Sequence, residues 1–167
     1  MTDETPSIDS ATFRRVLGNY PTGVTVVAGI DDGPVAMVIG SFGSVSLDPP
    51  LVQFMPGTGS STWPRIERSG SFSVNICGAH QEDLVGSFFV KDTDPFAAVD
   101  WRPGPTGSPL IEGCIGWIDC RIGAVHEAGD HYIVIGEVVA MECEDGDAAP
   151  LVFYRGGYGT FAEMAED

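Results

Sequence analysis

The sequence predicts a mainly β, single-domain protein, on three observations. Twenty-two glycines and twelve prolines are spread along 167 residues, which suits many short strands and turns better than a helical bundle. Between these punctuating residues, short β-branched and apolar runs recur down the whole chain. With 43% hydrophobic residues and a mean hydropathy of +0.10, a chain of this length buries one substantial core and is most simply one domain. The expected organisation is a flexible tail over 1–8, a domain over 9–162 and a short tail over 163–167.

In order along the chain, Asp9 or Ser10 caps a helix in which Phe13, Val16, Leu17 and Tyr20 recur at i, i+3, i+4 and i+7 as one apolar face. Gly18 and Pro21 end it. Residues 23–30 are β-branched and apolar, Asp31-Asp32-Gly33 is a turn signal and 34–40 returns, so a hairpin is expected. It leads into AMVIGSFGSVSLDPPL, residues 36–51. The first half of that stretch alternates like a strand. Gly40, Ser41, Gly43, Ser44 and Ser46 leave little side-chain bulk and set hydroxyls beside exposed backbone amides. Such a surface suits a flat, polar-edged ligand lying against backbone, and equally an ordinary bulged strand pair. Asp48, Pro49 and Pro50 stop the strand, because proline lacks a ladder donor and restrains the residue before it. Residues 51–55 start the next one.

Residues 56–59 read as a loop, after which Ser60, Ser61 or Thr62 caps a short helix over 63–68, with Pro64 tolerated in its first turn. A Ser/Thr cluster at a helix start, with Arg65 and Arg68 close by, is either a plain cap or a phosphate site. Residues 72–77 alternate Phe72, Val74 and Ile76 against Ser73, Asn75 and Cys77, so Asn75 is either a strand-end polar group or a ligand-facing amide. His80 begins a second short helix whose apolar face is Leu84, Val85 and Phe88. Residues 90–112 show little periodicity and read as a surface excursion pinned by Phe96 and Trp101, a lid or a subunit contact. Two long strands, 114–125 and 131–141, flank a connection over 126–130. A last short strand over 151–154 precedes the flexible turn 155–159, which carries Tyr158.

Composition excludes several function classes. The formal charge is −16, from 24 acidic and 8 basic residues, so the long-range field repels phosphate backbones and anionic membranes and no nucleic-acid partner is expected. An anionic nucleotide must therefore be held by local donors: amides, hydroxyls, or a basic group such as Arg65, Arg68, Lys91, Arg102, Arg121 or Arg155. No apolar run approaches the ~20 residues of a membrane span, and the acidic start MTDETPSIDS is unlike a signal peptide. A soluble, cytoplasmic protein is expected. Cys77, Cys114, Cys120 and Cys143 have no C-x-x-C spacing and read as reduced packing residues. The three histidines form no cluster with metal-ligand spacing, and G-x-S-x-G, P-loop and strand-linked G-x-G-x-x-G motifs are absent.

The run SFGSVSLDPPL resembles the signature of the flavin reductase-like family, the short-chain NAD(P)H:flavin oxidoreductases with an FMN-binding split barrel. YPTGVTVV at 20–27, SGSFSVNI at 69–76, GDHYIVIGEV at 129–138 and PLVFYRGGY at 150–158 are similar to further pieces of that family, in its order. The resemblance covers most of residues 13–161. It implies a six-stranded, mostly antiparallel, Greek-key-like split barrel with short peripheral helices, assembled as a homodimer. The implied function is NADH- or NADPH-dependent reduction of FMN or FAD, with the reduced flavin handed to a separate monooxygenase. The absence of catalytic motifs fits that chemistry, since hydride transfer between stacked rings needs positioning and charge stabilisation, not a side-chain nucleophile.

Carried over by residue, the resemblance makes Met37, Val38, Gly40, Ser41, Ser44 and Ser46 the flavin-contacting strand and loop. Ser60, Ser61 and Thr62 become phosphate-side contacts, Asn75 and His80 lie near the ring or ribityl chain, and Tyr158 closes the pocket. His131, in the G-D-H run, becomes the catalytic-side residue at the nicotinamide entry. Its plain alternative is a strand-start histidine bonded to Asp130 or Glu127. One departure stands out: relatives usually carry Thr where this chain has Val38 and a polar residue such as Asn where it has Gly40. That loss of two hydrogen-bonding groups leaves open a second function, a flavin-binding carrier, sensor or partner subunit without reductase turnover.

Overall fold

The computed structural model of the chain describes residues 8–90, 93–144 and 146–164. The tail expectations for 1–7 and 165–167, and Lys91, lie outside the described residues. The elements in chain order are α1 (Ser10–Leu17), β1 (Thr22–Gly23), β2 (Thr25–Ile30), β3 (Pro34–Ile39), β4 (Gly43–Leu47), β5 (Pro50–Phe54), α2 (Trp63–Ser69) and β6 (Ser71–Ile76). A 3-10 turn (Ala79–Gln81) leads into α3 (Glu82–Ser87), and a second (Pro95–Ala98) into β7 (Trp101–Pro103) and β8 (Pro109–Ile111). The long hairpin β9 (Gly116–Ala128) and β10 (His131–Cys143) follows, then β11 (Leu151–Tyr154) and β12 (Gly157–Thr160).

Every strand pair is antiparallel. The main sheet runs β3-β2-β6-β9-β10-β5-β4, seven strands where six were expected, beside a three-stranded β1-β11-β12 sheet and the β7-β8 hairpin. The main sheet curls on itself: Val35 of β3, near one edge, and Val52 and Phe54 of β5, near the other, share one buried cluster with Val27, Phe72, Val134 and the α2 residues Trp63 and Ile66. Phe54 meets Phe72 edge-on at 4.9 Å and Trp63 at 5.7 Å. Each such aromatic removes on the order of 1.5–3 kcal/mol of apolar surface from water.

A second cluster covers the opposite face, with Val26, Ala28, Cys77, Val85, Phe96 and Leu151. Alternate residues of β2 therefore enter different cores, which is why residues 25–28 read as an unbroken apolar run without the alternation of a half-exposed strand. Central β6 is likewise covered on both faces, so Ser73 and Asn75 are fully buried alongside Phe72 and Val74.

Local chemistry sets the boundaries. Asp9 caps α1, its carboxylate accepting from the Thr12 amide at 2.8 Å. Gly70, with φ of 71°, ends α2 in the left-handed region. Pro50 opens β5 as the first strand residue, the position a missing donor tolerates. The β2-β3 turn is clamped to α2, since Asp31 takes Arg68 Nη2 at 2.6 Å and Arg65 Nε at 3.1 Å. Two expectations are corrected. Residues 126–128 belong to β9 and the connection is a tight turn at Gly129-Asp130. The 90–112 excursion contains a 3-10 turn and the β7-β8 hairpin, whose three-residue strands are too short to leave a periodic signal. Phe96 does pin it, edge-on to Phe88 at 5.7 Å and to Trp101 at 6.1 Å.

Candidate functional site

A groove of about 990 Å³ opens where three segments converge: α1, the end of β3 with residues 40 and 41, and the junction of residues 55–60 with the β9-β10 turn. Its size suits a ring system with attached chains. Backbone bonds hold the junction together. Gly57 pairs with His131, Tyr132 N–H donates to the Pro56 carbonyl at 2.9 Å, and Thr58 donates to the Asp130 carbonyl through its amide at 2.9 Å and its hydroxyl at 3.1 Å.

At that junction His131 Nδ1 lies 2.7 Å from Asp130 Oδ1. The hydrogen bond from His131, and then its charge, hold the Asp130 carboxyl below the usual carboxylate range. With Nδ1 engaged, Nε2 is the ring nitrogen beside Gly57, 3.9 Å from where a Cβ on that glycine would stand. The sequence alternatives for His131 thus coexist: it is bonded to Asp130 and it lines the groove.

Two groove residues work through the fold. Ser41 Oγ accepts from Met55 N–H at 3.0 Å and donates to the Met55 carbonyl at 3.2 Å, so its hydroxyl clasps the ends of β3 and β5 together. A Cβ on Gly40 would lie 2.9 Å from Thr22 Oγ1. The Thr22 hydroxyl therefore stands where a side chain at position 40 would start, and Gly40 makes room for it.

At the start of α2 the cap is Ser60, whose Oγ accepts from Thr62 N–H at 3.2 Å and Trp63 N–H at 3.1 Å, while the Thr62 side chain makes no capping bond. Ser60 lines the groove. Ser61 and Thr62 line an adjacent depression of about 600 Å³ with Arg65, Gly33, Val35 and Ala36, along β3 from the groove. The two expected phosphate-side arginines spend donors on Asp31, whose carboxyl they hold below its ordinary range, Arg68 more than Arg65.

Met37, Val38, Gly40, Ser41, Ser60 and His131 are thus brought together, and the remaining candidates are not. Asn75 is corrected to a core residue: it is 0% exposed, its amide donates to the Val26 and Pro109 carbonyls and Ser73 Oγ, and its Oδ1 accepts from Ile111 N–H at 2.8 Å. Ser44 and Ser46 lie on β4, the far edge of the main sheet, astride a bulge. His80 bonds the Gly113 carbonyl at 3.1 Å, and Tyr158 stacks edge-on against Phe153 at 5.5 Å beside Tyr154 and Phe161; neither lines the groove of a single chain. Sequence reasoning missed Arg14, a groove residue on α1. The signal was present, because Ser10, Phe13, Arg14 and Leu17 share one helix face at i, i+3, i+4 and i+7. Among the described residues no metal-binding group of His, Cys, Asp or Glu occurs, and no helix is long and apolar enough to cross a membrane.

Known proteins share this fold. A flavin reductase of Pseudomonas putida is 52% identical over 160 residues, covering 95% of this chain and 94% of the relative. The solved structure of a nitrilotriacetate monooxygenase component B homologue from Mycobacterium thermoresistibile superimposes with a TM-score of 0.90 at 41% identity, covering 95% of this chain and 92% of that one. The NADH:FAD oxidoreductase SgcE6 of Streptomyces globisporus, solved with NAD and FAD fragments, gives 0.88 at 36% identity, covering 95% and 96%. The model of the flavin reductase like domain matches residues 17–162, from the end of α1 to beyond β12, across both cores and the groove except its wall at Ile8, Ser10, Phe13 and Arg14; with full-length relatives at this identity and the same split-barrel topology, the chain belongs to the flavin reductase-like family.

Proposed function

We propose that the protein is an NAD(P)H-dependent flavin reductase that supplies reduced flavin to a separate monooxygenase in the cytoplasm. The observation that carries this reading is the groove itself, which gathers the backbone-rich end of β3, Ser60 and the carboxylate-bound His131 from segments far apart in the chain. The residues present fit a flavin: the wall is apolar at 37–39 and has little bulk at Gly40 and Ser41, Gly40 admits no side chain without displacing Thr22, and the depression bearing Ser61 and Thr62 adjoins it. A flavin held there would supply the redox chemistry, as the acceptor of a hydride from a nicotinamide.

The chain supplies position and charge. Met37 and Val38 offer an apolar face for a ring, and the oriented donors at Ser61 and Thr62 hold the phosphate end in a molecule whose overall field opposes it. Asp130 fixes the His131 ring so that Nε2 steadies negative charge at the groove without having to donate a proton.

The test is anaerobic addition of NADH, and separately NADPH, to the purified protein with FMN or FAD. Bleaching of the flavin absorbance at catalytic protein concentration is expected with at least one pair. Flavin binding without bleaching by either nucleotide would leave the carrier or sensor reading in its place.

A further inference from the structure

Four of the eight cations of this acidic chain are engaged within the fold. Arg65 and Arg68 hold Asp31, Arg102 pairs with Glu112 at 3.6 Å and lies over the Trp117 ring, and Arg155 donates to Asn19. Among the described residues lining the groove, Arg14 is the one permanent cation, and the one carboxylate there, Asp130, is engaged by His131. Arg14 is exposed on α1, and it makes no ion pair among the described residues. The groove thus offers a guanidinium and an oriented imidazole, while the hydroxyls of Ser61 and Thr62 offer a second, separate set of donors in the adjoining depression, where Arg65 is engaged by Asp31 and where Asp32 and Asp94 also stand.

Two anion-binding positions call for two anionic groups. We propose that Arg14 is a specificity-determining residue that binds the diphosphate of the nicotinamide dinucleotide, so that α1 grips the hydride donor while the start of α2 grips the flavin. This rests on the reductase reading above. The guanidinium fork suits adjacent phosphates, each contact being a charge-assisted hydrogen bond. In a molecule of net charge −16 a single local cation decides much of an anionic ligand's affinity, because the distant field opposes binding.

The decisive comparison uses a hydride donor without phosphate. Arg14→Ala and Arg14→Lys are measured with NADH and with reduced N-benzylnicotinamide, and each protein is also titrated calorimetrically with NAD+ and with FMN, which needs no turnover. Arg14→Ala is expected to weaken NAD+ binding roughly tenfold, the lower end for losing a charge-assisted contact, with FMN affinity retained. The ratio of kcat/KM for NADH to that for the phosphate-free donor should fall by the same factor, and Arg14→Lys should recover only part of it, since lysine restores the charge without the fork. An equal loss with both donors, or unchanged NAD+ affinity, overturns the proposal. Weakened FMN binding in place of weakened NAD+ binding overturns it too, assigning Arg14 to the flavin phosphate. If the unmodified protein reduces flavin with neither donor, the reductase reading fails, and the NAD+ titration still decides the role of Arg14.

Discussion

At the scale of single residues, His131 and Asn75 carry opposite lessons. His131 sits half-exposed at the groove, aligned by Asp130. Its replacement by alanine should lower kcat/KM for the nicotinamide donor roughly tenfold, about 1.4 kcal/mol of transition-state interaction, with flavin affinity nearly unchanged. Steady-state kinetics beside a flavin titration check this, and an unaltered kcat/KM in a folded variant returns His131 to a hairpin role. Asn75 was legible as a polar residue alternating with Phe72, Val74 and Ile76, but alternation does not say that a sheet is covered on both faces. Its amide bridges β2, β6 and β8. Asn75→Ala strands Ile111 N–H and removes the amide's bonds to the Val26 and Pro109 carbonyls, the unsatisfied donor alone costing about 1–3 kcal/mol. Urea unfolding should show a loss of at least ~2 kcal/mol, while the folded fraction binds flavin as before.

At the scale of elements, α2 does two jobs. Its start presents Ser61 and Thr62 beside the groove. FMN should therefore bind more tightly than riboflavin, and changing both residues to alanine should shrink the preference; equal affinities in the unmodified protein would sink the phosphate role. Its far end holds the β2-β3 turn through Arg68 and Arg65 on Asp31. Those hydrogen bonds depress the folded-state pKa of Asp31 below its ordinary 3.8. A depressed carboxylate contributes stability that is present above the unfolded pKa and disappears as pH falls through the folded one. Asp31→Asn should therefore melt below wild type at neutral pH, and the two melting curves should converge only once the pH has fallen through the folded-state pKa, which lies below 3.8. A gap in Tm that persists there would mean that the clamp does not act through the ionised carboxylate. The hairpin and the helix start were readable from Asp31-Asp32-Gly33 and the Ser/Thr cluster. Their ion-pair clamp was not, since it joins residues 34 and 37 positions apart.

At the scale of the whole molecule, the apolar face of α1 that the periodicity predicted is real, yet none of it is buried: Phe13 is 56% exposed, Val16 59% and Leu17 53%. Phe153, Tyr154, Tyr158 and Phe161 are also exposed on or just after the β11-β12 hairpin, and Arg155 of its turn bonds Asn19 just after α1. Contiguous apolar surface of this kind marks an interface, and we expect a homodimer formed through it, with the groove at its rim because Phe13 and Leu17 line both surfaces. Sedimentation at micromolar concentration should give twice 17.7 kDa. A mass of one chain would remove the dimer, and Leu17→Asp should dissociate it if it forms through α1.

By itself the sequence determined the class of fold, the order of its strands, the turn and cap residues, and the family, because those rest on local propensity and short motifs such as SFGSVSLDPPL. It also carried His131 and Asp130 as neighbours, since adjacency along the chain survives folding. Only the tertiary structure decided which polar residues face the groove and which face the core. Ser41 and Asn75 look alike in sequence as small polar groups on strands, and both turned out to hold the fold together, one at the groove and one far from it. Arg14, unremarked on an amphipathic helix, became a groove residue because the chain returns β3 and the β9-β10 turn to its side. That return is a matter of long-range antiparallel pairing and two-sided burial, which no spacing within a single element records.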